Sequence, residues 1–275
     1  MSGLGDLIER RFGERVEAEV PADSAPTLHR MLARGVRRAF LDKPVEPALL
    51  RTLCAAALSS PTKSDMQQGD ILVLDDPARR AAIFATMPDH PWLAASPVFL
   101  VFLGNNRRQR QIHEWRGKPF ANDHLDPFFN AAVDGAIVMA TFIAAAEAVG
   151  LGCCPISQIR NESRLVSDVL ELPAHVFPIA GLAVGWPARE GELSLRLPLE
   201  VRVHHDRFDE ADLAARIDAY DRRRAAVQPY RRQRDEERFG RVDLYGWSED
   251  KARQYARAER ASFGEYVRGQ GFKLD

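Results

Sequence analysis

Cysteine is scarce in this chain: Cys54, Cys153 and Cys154 are the only three among 275 residues. An odd count with two adjacent members excludes a disulfide framework and falls short of a four-cysteine zinc site. A reducing compartment fits such usage. Charge of one sign is missing too, since 38 Lys and Arg against 39 Asp and Glu leave a formal net charge of -1. That balance lacks the basic field expected of a nucleic-acid binder. Met1 to Arg15 contains no apolar run, because Asp6, Glu9, Arg10, Arg11 and Glu14 interrupt it, so no signal peptide is visible and a cytoplasmic protein is expected. Only one long hydrophobic segment exists, Phe128 to Val149. At about 1.5 Å per residue it could cross a bilayer. Asn130, Asp134 and Glu147 lie within it, and it has no counterpart elsewhere, so it reads as a core helix with no membrane role.

Familiar catalytic signatures are also missing. There is no G-x-S-x-G elbow, no H-E-x-x-H and no phosphate loop of the Walker type. Gly150-Leu151-Gly152 follows a helix, not a strand, which excludes a dinucleotide-fold turn. His204 and His205 are neighbours on an expected strand and would point to opposite faces, so they cannot share a metal. Neither a metal site nor a protein nucleophile is expected.

What is present is ample apolar material: 45% of residues are hydrophobic, enough for a core without disulfide or metal. Residues 1–26 are charged and irregular, with Pro21, Asp23, Ser24 and Pro26 reading as a flexible arm. Residues 27–275 read as one domain with a C-terminal helical extension. Leu28, Met31 and Leu32 mark a short helix, and Glu46 to Leu58 shows helical spacing. Buried strands are expected at Ile71 to Leu74, Val98 to Leu103, Cys153 to Ile156 and Phe177 to Val184, with a further strand at Val201 to His205. Helices are expected at Pro77 to Met87, Arg107 to Trp115, Glu162 to Leu170, Glu210 to Arg224 and Ser248 to Arg268, besides the long apolar one. Without regular βαβ alternation, the order predicts an α+β fold with one sheet between helical layers.

Three stretches carry candidate chemistry. In Arg34-Gly35-Val36-Arg37-Arg38, arginines stand two positions either side of Val36. An extended backbone would aim both the same way, as a phosphate clamp or as a solvated basic turn. Ser60 to Gln67 gathers hydroxyl, amide and carboxylate groups before a buried strand, suited to the edge of a heteroaromatic ring or simply to a polar connection. Arg222 to Arg234 concentrates arginines, with Asp235, Glu236 and Glu237 directly after them.

Taken in order, these pieces resemble the nitroreductase family over about Arg34 to Pro198, and more weakly beyond. The family's R-x-S-x-R/K motif resembles Arg34 to Arg38, and its P-S-x-x-N-x-Q loop resembles Pro61-Thr62-Lys63-Ser64-Asp65-Met66-Gln67. Its E-x-x-G-L-G segment resembles Glu147 to Gly152, followed by Pro155-Ile156-Ser157-Gln158 over one face of the flavin. Leu172-Pro173 to Pro178, Gly185-Trp186-Pro187 and Arg196-Leu197-Pro198 complete the series. Within the family, Gly185-Trp186-Pro187, Arg196-Leu197-Pro198 and the extension with Trp247-Ser248 resemble the NADPH-preferring bacterial flavin reductase and nitroreductase group.

The resemblance implies a sandwich whose central mixed sheet is flanked by helices, and a homodimer interleaved through the long helix. It implies FMN at the dimer interface, held by Arg34, Val36, Arg38 and Arg196 at the phosphate. Pro61, Thr62, Lys63, Asp65 and Gln67 would come from the other subunit, with Pro155, Ile156, Ser157 and Gln158 over the ring. His90 either supplies a cofactor contact or is a surface histidine. Cys153 and Cys154 would be small packing residues near the ring. NADPH, or NADH, would deliver a hydride to the flavin, and a nitroaromatic, quinone or flavin acceptor would take two electrons in a ping-pong cycle. Arg231, Arg232 and Arg234 would bind the NADPH 2′-phosphate, or else pair with Asp235, Glu236 and Glu237. Val36 stands where serine is usual, Asp65 where asparagine is common, and Ser194 where a lysine often precedes Arg196. Arg37 is a candidate to replace that lysine's charge. A flavin or small-molecule binder without turnover would carry the same motifs, and nucleic-acid binding through Arg222 to Arg234 is the third reading.

Overall fold

A computed structural model describes residues 3–17 and 19–275, and the chain divides into two compact units. The larger comprises Val36–Gly191 with Arg260–Asp275, the smaller Met1–Gly35 with Glu192–Glu259.

The larger unit is built on four strands, β1 (Gly69–Val73), β2 (Val98–Asn105), β3 (Gly152–Ile156) and β4 (Val176–Gly185), in the order β1-β2-β4-β3. Each pairing is antiparallel, with Gly69 opposite Gly104, Val98 opposite Val184 and Gly152 opposite Gly185. The expected mixed sheet is therefore corrected: it needs a parallel pairing, and none occurs among the described residues.

Strand periodicity decides the layering. Phe99, Val101 and Leu103 of β2 face one side and pack with Ile83, Met87, Leu93, Ile156 and Val166. Leu100 and Phe102 face the other and pack with Leu53, Ala57, Val138 and Phe142. Both faces of β2 are thus covered, which is why its sequence is apolar without alternation. The layers are the helices Pro77–Ala85 and Ser163–Val169 on the first side, and Pro47–Leu58 and Leu125–Ala148 on the second. The α+β sandwich with one sheet between helical layers stands as read.

Leu125–Ala148 is long and apolar enough to cross a membrane, but its face Ala131, Val138, Phe142 and Ala146 is buried in this unit. Gly135 permits that approach, because a Cβ there would stand 2.2 Å from Ile179 Cδ1 and 2.8 Å from the Leu103 carbonyl oxygen. Gly135→Ala is therefore expected to destabilise by about 1–3 kcal/mol through overpacking, read as a lower Tm in a thermal melt. An unchanged Tm would show that the helix does not sit this close. The opposite face, Leu125, Phe129, Val133, Ala136, Ala140 and Ala144, is exposed along its whole length.

The smaller unit contains the helices Leu4–Phe12, Ala25–Ala33, Leu213–Val227, Glu236–Phe239 and Trp247–Tyr255. Within the arm expected at residues 1–26, Leu4–Phe12 is helical with Leu7 and Arg11 buried. Arg11 ties it to the next helix by donating from Nε to the Leu32 carbonyl at 3.0 Å. The residues of the domain expected at 27–275 fall in both units. Buried Leu195, Tyr220, Asp221, Asp250 and Arg253 belong to the smaller unit and to none of the three apolar clusters of the larger one. The strand at Val201 to His205 does not form; Leu199–Val201 is one tight helical turn. The helix at Ser248 to Arg268 is two helices, Trp247–Tyr255 and Phe263–Gly269, interrupted where Arg260 adopts φ +56°.

Candidate functional site

In the larger unit the helix Pro47–Leu58 ends at Ser59, and the polar loop beyond it is held in an unusual backbone. Ser64, Asp65 and Gln67 adopt φ of 48°, 57° and 53°. Non-glycine residues in the left-handed region cost on the order of 1 kcal/mol or more each, so the surroundings must impose them. Asp134, 2% exposed on the long helix, does so. Its two carboxylate oxygens accept the Lys63 N–H at 3.0 Å and the Gln68 N–H at 3.1 Å. Thr62 Oγ1 accepts the Gln67 N–H at 2.8 Å, and Gln67 Nε2 donates to Asp65 Oδ1 at 3.1 Å. From the helix Arg107–Trp115, Gln109 and Arg108 donate to the carbonyls of Met66 and Gln67 at 3.0 and 2.6 Å. A cavity of about 230 Å³ opens beside this loop, lined by Pro61, Thr62, Gln67, Arg108 and Asp134. Pro61, Lys63, Asp65 and Gln67 are exposed and Thr62 is half-buried. Asp134 and Arg108 were not singled out as site residues in the sequence; a carboxylate in an otherwise apolar helix was the available signal for the first.

Val36 to Arg38 lies at the opposite end of the sheet. Arg37 donates its N–H to the Cys153 carbonyl at 3.1 Å, beside the Gly152–Gly185 pair, whereas the polar loop adjoins the Gly69–Gly104 pair. The strand β2 separates these ends by roughly 23 Å at about 3.3 Å per residue. One chain does not bring Arg38 and the loop together. Val36 packs against the core, Arg38 is exposed, and Arg37 pairs with Glu190 at 3.0 Å. The Nη1 of Arg37 is buried and has no hydrogen-bond partner among the described residues.

Pro155 and Ile156 end β3, and Ser157 and Gln158 begin the turn Ser157–Arg160. Ile156 buries its side chain in the core, leaving its backbone to face the turn, while Ser157 is exposed and Gln158 half-buried. Arg260 reaches this turn, donating to Asn161 Oδ1 at 2.9 Å and to Ser157 Oγ at 3.4 Å. His90 heads the turn Pro91–Ala95, its ring 5.9 Å from that of Trp92 and its N–H donated to the Met87 carbonyl.

The smaller unit collects positive charge. Arg196 is half-buried, with its N–H donated to the Arg11 carbonyl at 2.7 Å and Nη1 to Ser194 Oγ at 2.9 Å. Loss of solvent lowers its pKa; Tyr220 opposes this, and the like charges of Arg34, Arg202 and Arg224 lower it further. Arg34 and Arg196 are therefore neighbours, as the clamp reading requires, and Arg224 is an addition hidden in the Arg222 to Arg234 run. That run is not one basic track. Arg222 pairs with Asp218, Arg223 donates to the Glu9 and Arg10 carbonyls, and Arg224 lies over the Tyr230 ring at 4.6 Å.

The segment bearing Arg231, Arg232 and Arg234 is cross-braced. Gln233 exchanges two hydrogen bonds with the Val242 backbone at 2.7 and 3.0 Å, and buried Arg253 donates to the Arg234 and Gly240 carbonyls at 3.0 and 2.8 Å. Arg234 faces Asp250 at 3.5 Å, Asp235 pairs with Arg257 at 2.7 Å and Glu236 with Arg241 at 3.9 Å. Asp235 and Glu236, which follow the arginines in sequence, are thus paired elsewhere. Arg231 and Arg232 are exposed and make no ion pair among the described residues.

Comparison with known proteins matches residues 33–186 to the Nitroreductase family and residues 194–275 to the Nitroreductase family, C-terminal domain. The chain belongs to the nitroreductase family. Among relatives, the FMN reductase [NAD(P)H] of Bacillus subtilis is 30% identical over 243 residues, covering 86% of this chain and 94% of that one. The oxygen-insensitive NADPH nitroreductase of Salmonella typhimurium is 34% identical over 197 residues, covering 70% and 80%. Among solved structures, the oxidoreductase YcnD from Bacillus subtilis superposes with a TM-score of 0.81 at 28% identity, covering 91% of this chain and 99% of that one. The nitroreductase matches take in the polar loop, Asp134 and the β3 turn in the first segment, and Arg196 and Arg224 in the second.

Proposed function

We propose that this nitroreductase-family protein is a cytoplasmic homodimer that uses FMN to pass two electrons from NADPH to a nitroaromatic, quinone or flavin acceptor in a ping-pong cycle. The observation that carries this reading is the like charge gathered at half-buried Arg196, on which Arg34 acts. Half-buried like charges suit a small dianion such as a terminal phosphate. When bound, FMN supplies the redox chemistry, accepting hydride from the nicotinamide and delivering electrons to the acceptor.

The chain's own residues bind and orient. Arg34 and Arg196 hold the phosphate, and Arg38 and the Val36 backbone are further cofactor contacts. Pro61, Thr62, Lys63, Asp65 and Gln67 offer polar groups to the ring edge from a loop that Asp134 holds in shape. Pro155, Ile156, Ser157 and Gln158 border one face, and His90 contributes from the turn before β2. Since Arg38 and the polar loop occupy opposite ends of one sheet, the loop is supplied by the second subunit. The exposed stripe Leu125, Phe129, Val133, Ala136 and Ala140 supports that arrangement as the surface on which two long helices meet.

Arg231 and Arg232 are the NADPH 2′-phosphate contacts; Arg234, facing Asp250, contributes less than the sequence suggested. Arg231→Ala with Arg232→Ala should raise the KM for NADPH about tenfold or more, the value of one charge-assisted contact, and leave that for NADH nearly unchanged. Equal loss with both donors would remove these arginines from phosphate reading. Acceptor-dependent, sustained NADPH oxidation by purified protein tests the reaction itself. Stoichiometric binding of FMN without turnover would assign a flavin-binding role instead.

A further inference from the structure

The geometry points to Arg224 as a further guanidinium of the phosphate site, standing in for the cation that Ser194 lacks. The inference rests on the proposed FMN reading and adds a residue to it. Arg224 occupies the last turn of the helix Leu213–Val227, one turn after buried Tyr220. Its position is fixed from two directions. Tyr230 lies beneath the guanidinium at 4.6 Å, and Nη1 donates to Gln228 Oε1 at 3.3 Å. The same Gln228 oxygen accepts the Leu195 N–H at 3.4 Å, so one amide links Arg224 to the backbone that carries Arg196. The Nε of Arg224 is buried and has no hydrogen-bond partner. A buried N–H without a partner is destabilising, and a bound anion would offset that cost.

No acid of the same helix face neutralises this charge. Asp221 stands three residues before Arg224, but its carboxylate accepts the N–H of Ser248 at 3.1 Å and the Ser248 hydroxyl. Arg37, the other candidate for the missing charge, is paired with Glu190. Ser194 has a different task, since its hydroxyl accepts from Arg196 Nη1 and orients that side chain. A lysine at 194 would bring a flexible point charge. Arg224 brings a planar fork, fixed by a ring and an amide.

The test compares FMN with riboflavin, which has the same ring system and no phosphate, in titrations of the full-length apoprotein. Arg224→Met, which keeps an apolar stem over Tyr230, should weaken FMN binding roughly tenfold or more while leaving riboflavin binding unchanged. Adding Ser194→Lys to that variant should restore most of the FMN affinity. Arg196→Ala is the control for the underlying reading. If it leaves FMN binding intact, the phosphate site itself is misplaced. If Arg196→Ala weakens FMN and Arg224→Met does not, the site stands and the role of Arg224 is overturned. Equal weakening of FMN and riboflavin by Arg224→Met would also overturn it. Should Arg224→Met not fold, Arg224→Gln takes its place, and failure of both would assign Arg224 to the fold and overturn the inference.

Discussion

Replacing Ala140 by arginine is expected to give a folded monomer that has lost FMN. Ala140 lies in the C-terminal half of the exposed stripe of Leu125–Ala148, where Phe129 is 61% and Val133 38% exposed. Apolar side chains continuous over six turns of one helix form a patch that a monomer seldom leaves open to water. A guanidinium in a close helix–helix contact would be desolvated without a partner, at a cost of several kcal/mol. In the monomer the same side chain reaches water, so the fold survives. FMN is lost because the polar loop and Arg38 lie at opposite ends of one sheet. Sedimentation with flavin absorbance reads both properties. A monomer that keeps its flavin would show that one chain completes the site.

The second large effect is expected from Asp134→Ala. Its carboxylate accepts two backbone N–H groups of the polar loop, one of them on the buried residue Gln68. Hydrogen bonds to a charged group contribute about 1.5–3 kcal/mol each, so losing two destabilises by about 3 kcal/mol or more. At roughly 2–4 °C per kcal/mol, the Tm should fall by about 6–12 °C. The left-handed residues Ser64, Asp65 and Gln67 would relax once the constraint is gone, taking FMN affinity with them. Asp134→Asn keeps one acceptor and should fall between. A Tm within about 2 °C of the parent, with FMN affinity retained, would show that the loop holds its shape without the carboxylate.

The sheet was legible because each strand is an apolar run bounded by breakers. Ile71 to Leu74, Val98 to Leu103 and Phe177 to Val184 differ from β1, β2 and β4 by one or two residues at either end. The charged helix Arg107–Trp115 appears with the bounds its pattern gave. Strand direction was not legible, since a run of valines carries no record of its partner. Val201 to His205 has strand composition and no neighbouring strand, so it turns instead. Leu4–Phe12 was hidden by its charges, although Leu4, Leu7, Ile8 and Arg11 recur at helical spacing.

The site divides the same way. The polar loop and the Arg34 and Arg196 pair were readable as residue types in order. Asp134 was visible only as an interruption in an apolar helix, because its role depends on a loop about seventy residues earlier. Arg224 was lost in a run of three arginines whose side chains turn out to have three different partners. Sequence spacing gives faces of an element; which face meets which neighbour is settled by packing.

The central claim is that this fold holds FMN and turns it over with NADPH. Protein purified without added flavin, denatured and assayed for the released chromophore tests it most directly. The account predicts a yellow protein that releases FMN, not FAD, at about one per subunit, the stoichiometry of one phosphate clamp per chain, and whose bound flavin is bleached by NADPH and recoloured by a quinone. A colourless protein that takes up no FMN on reconstitution would contradict it.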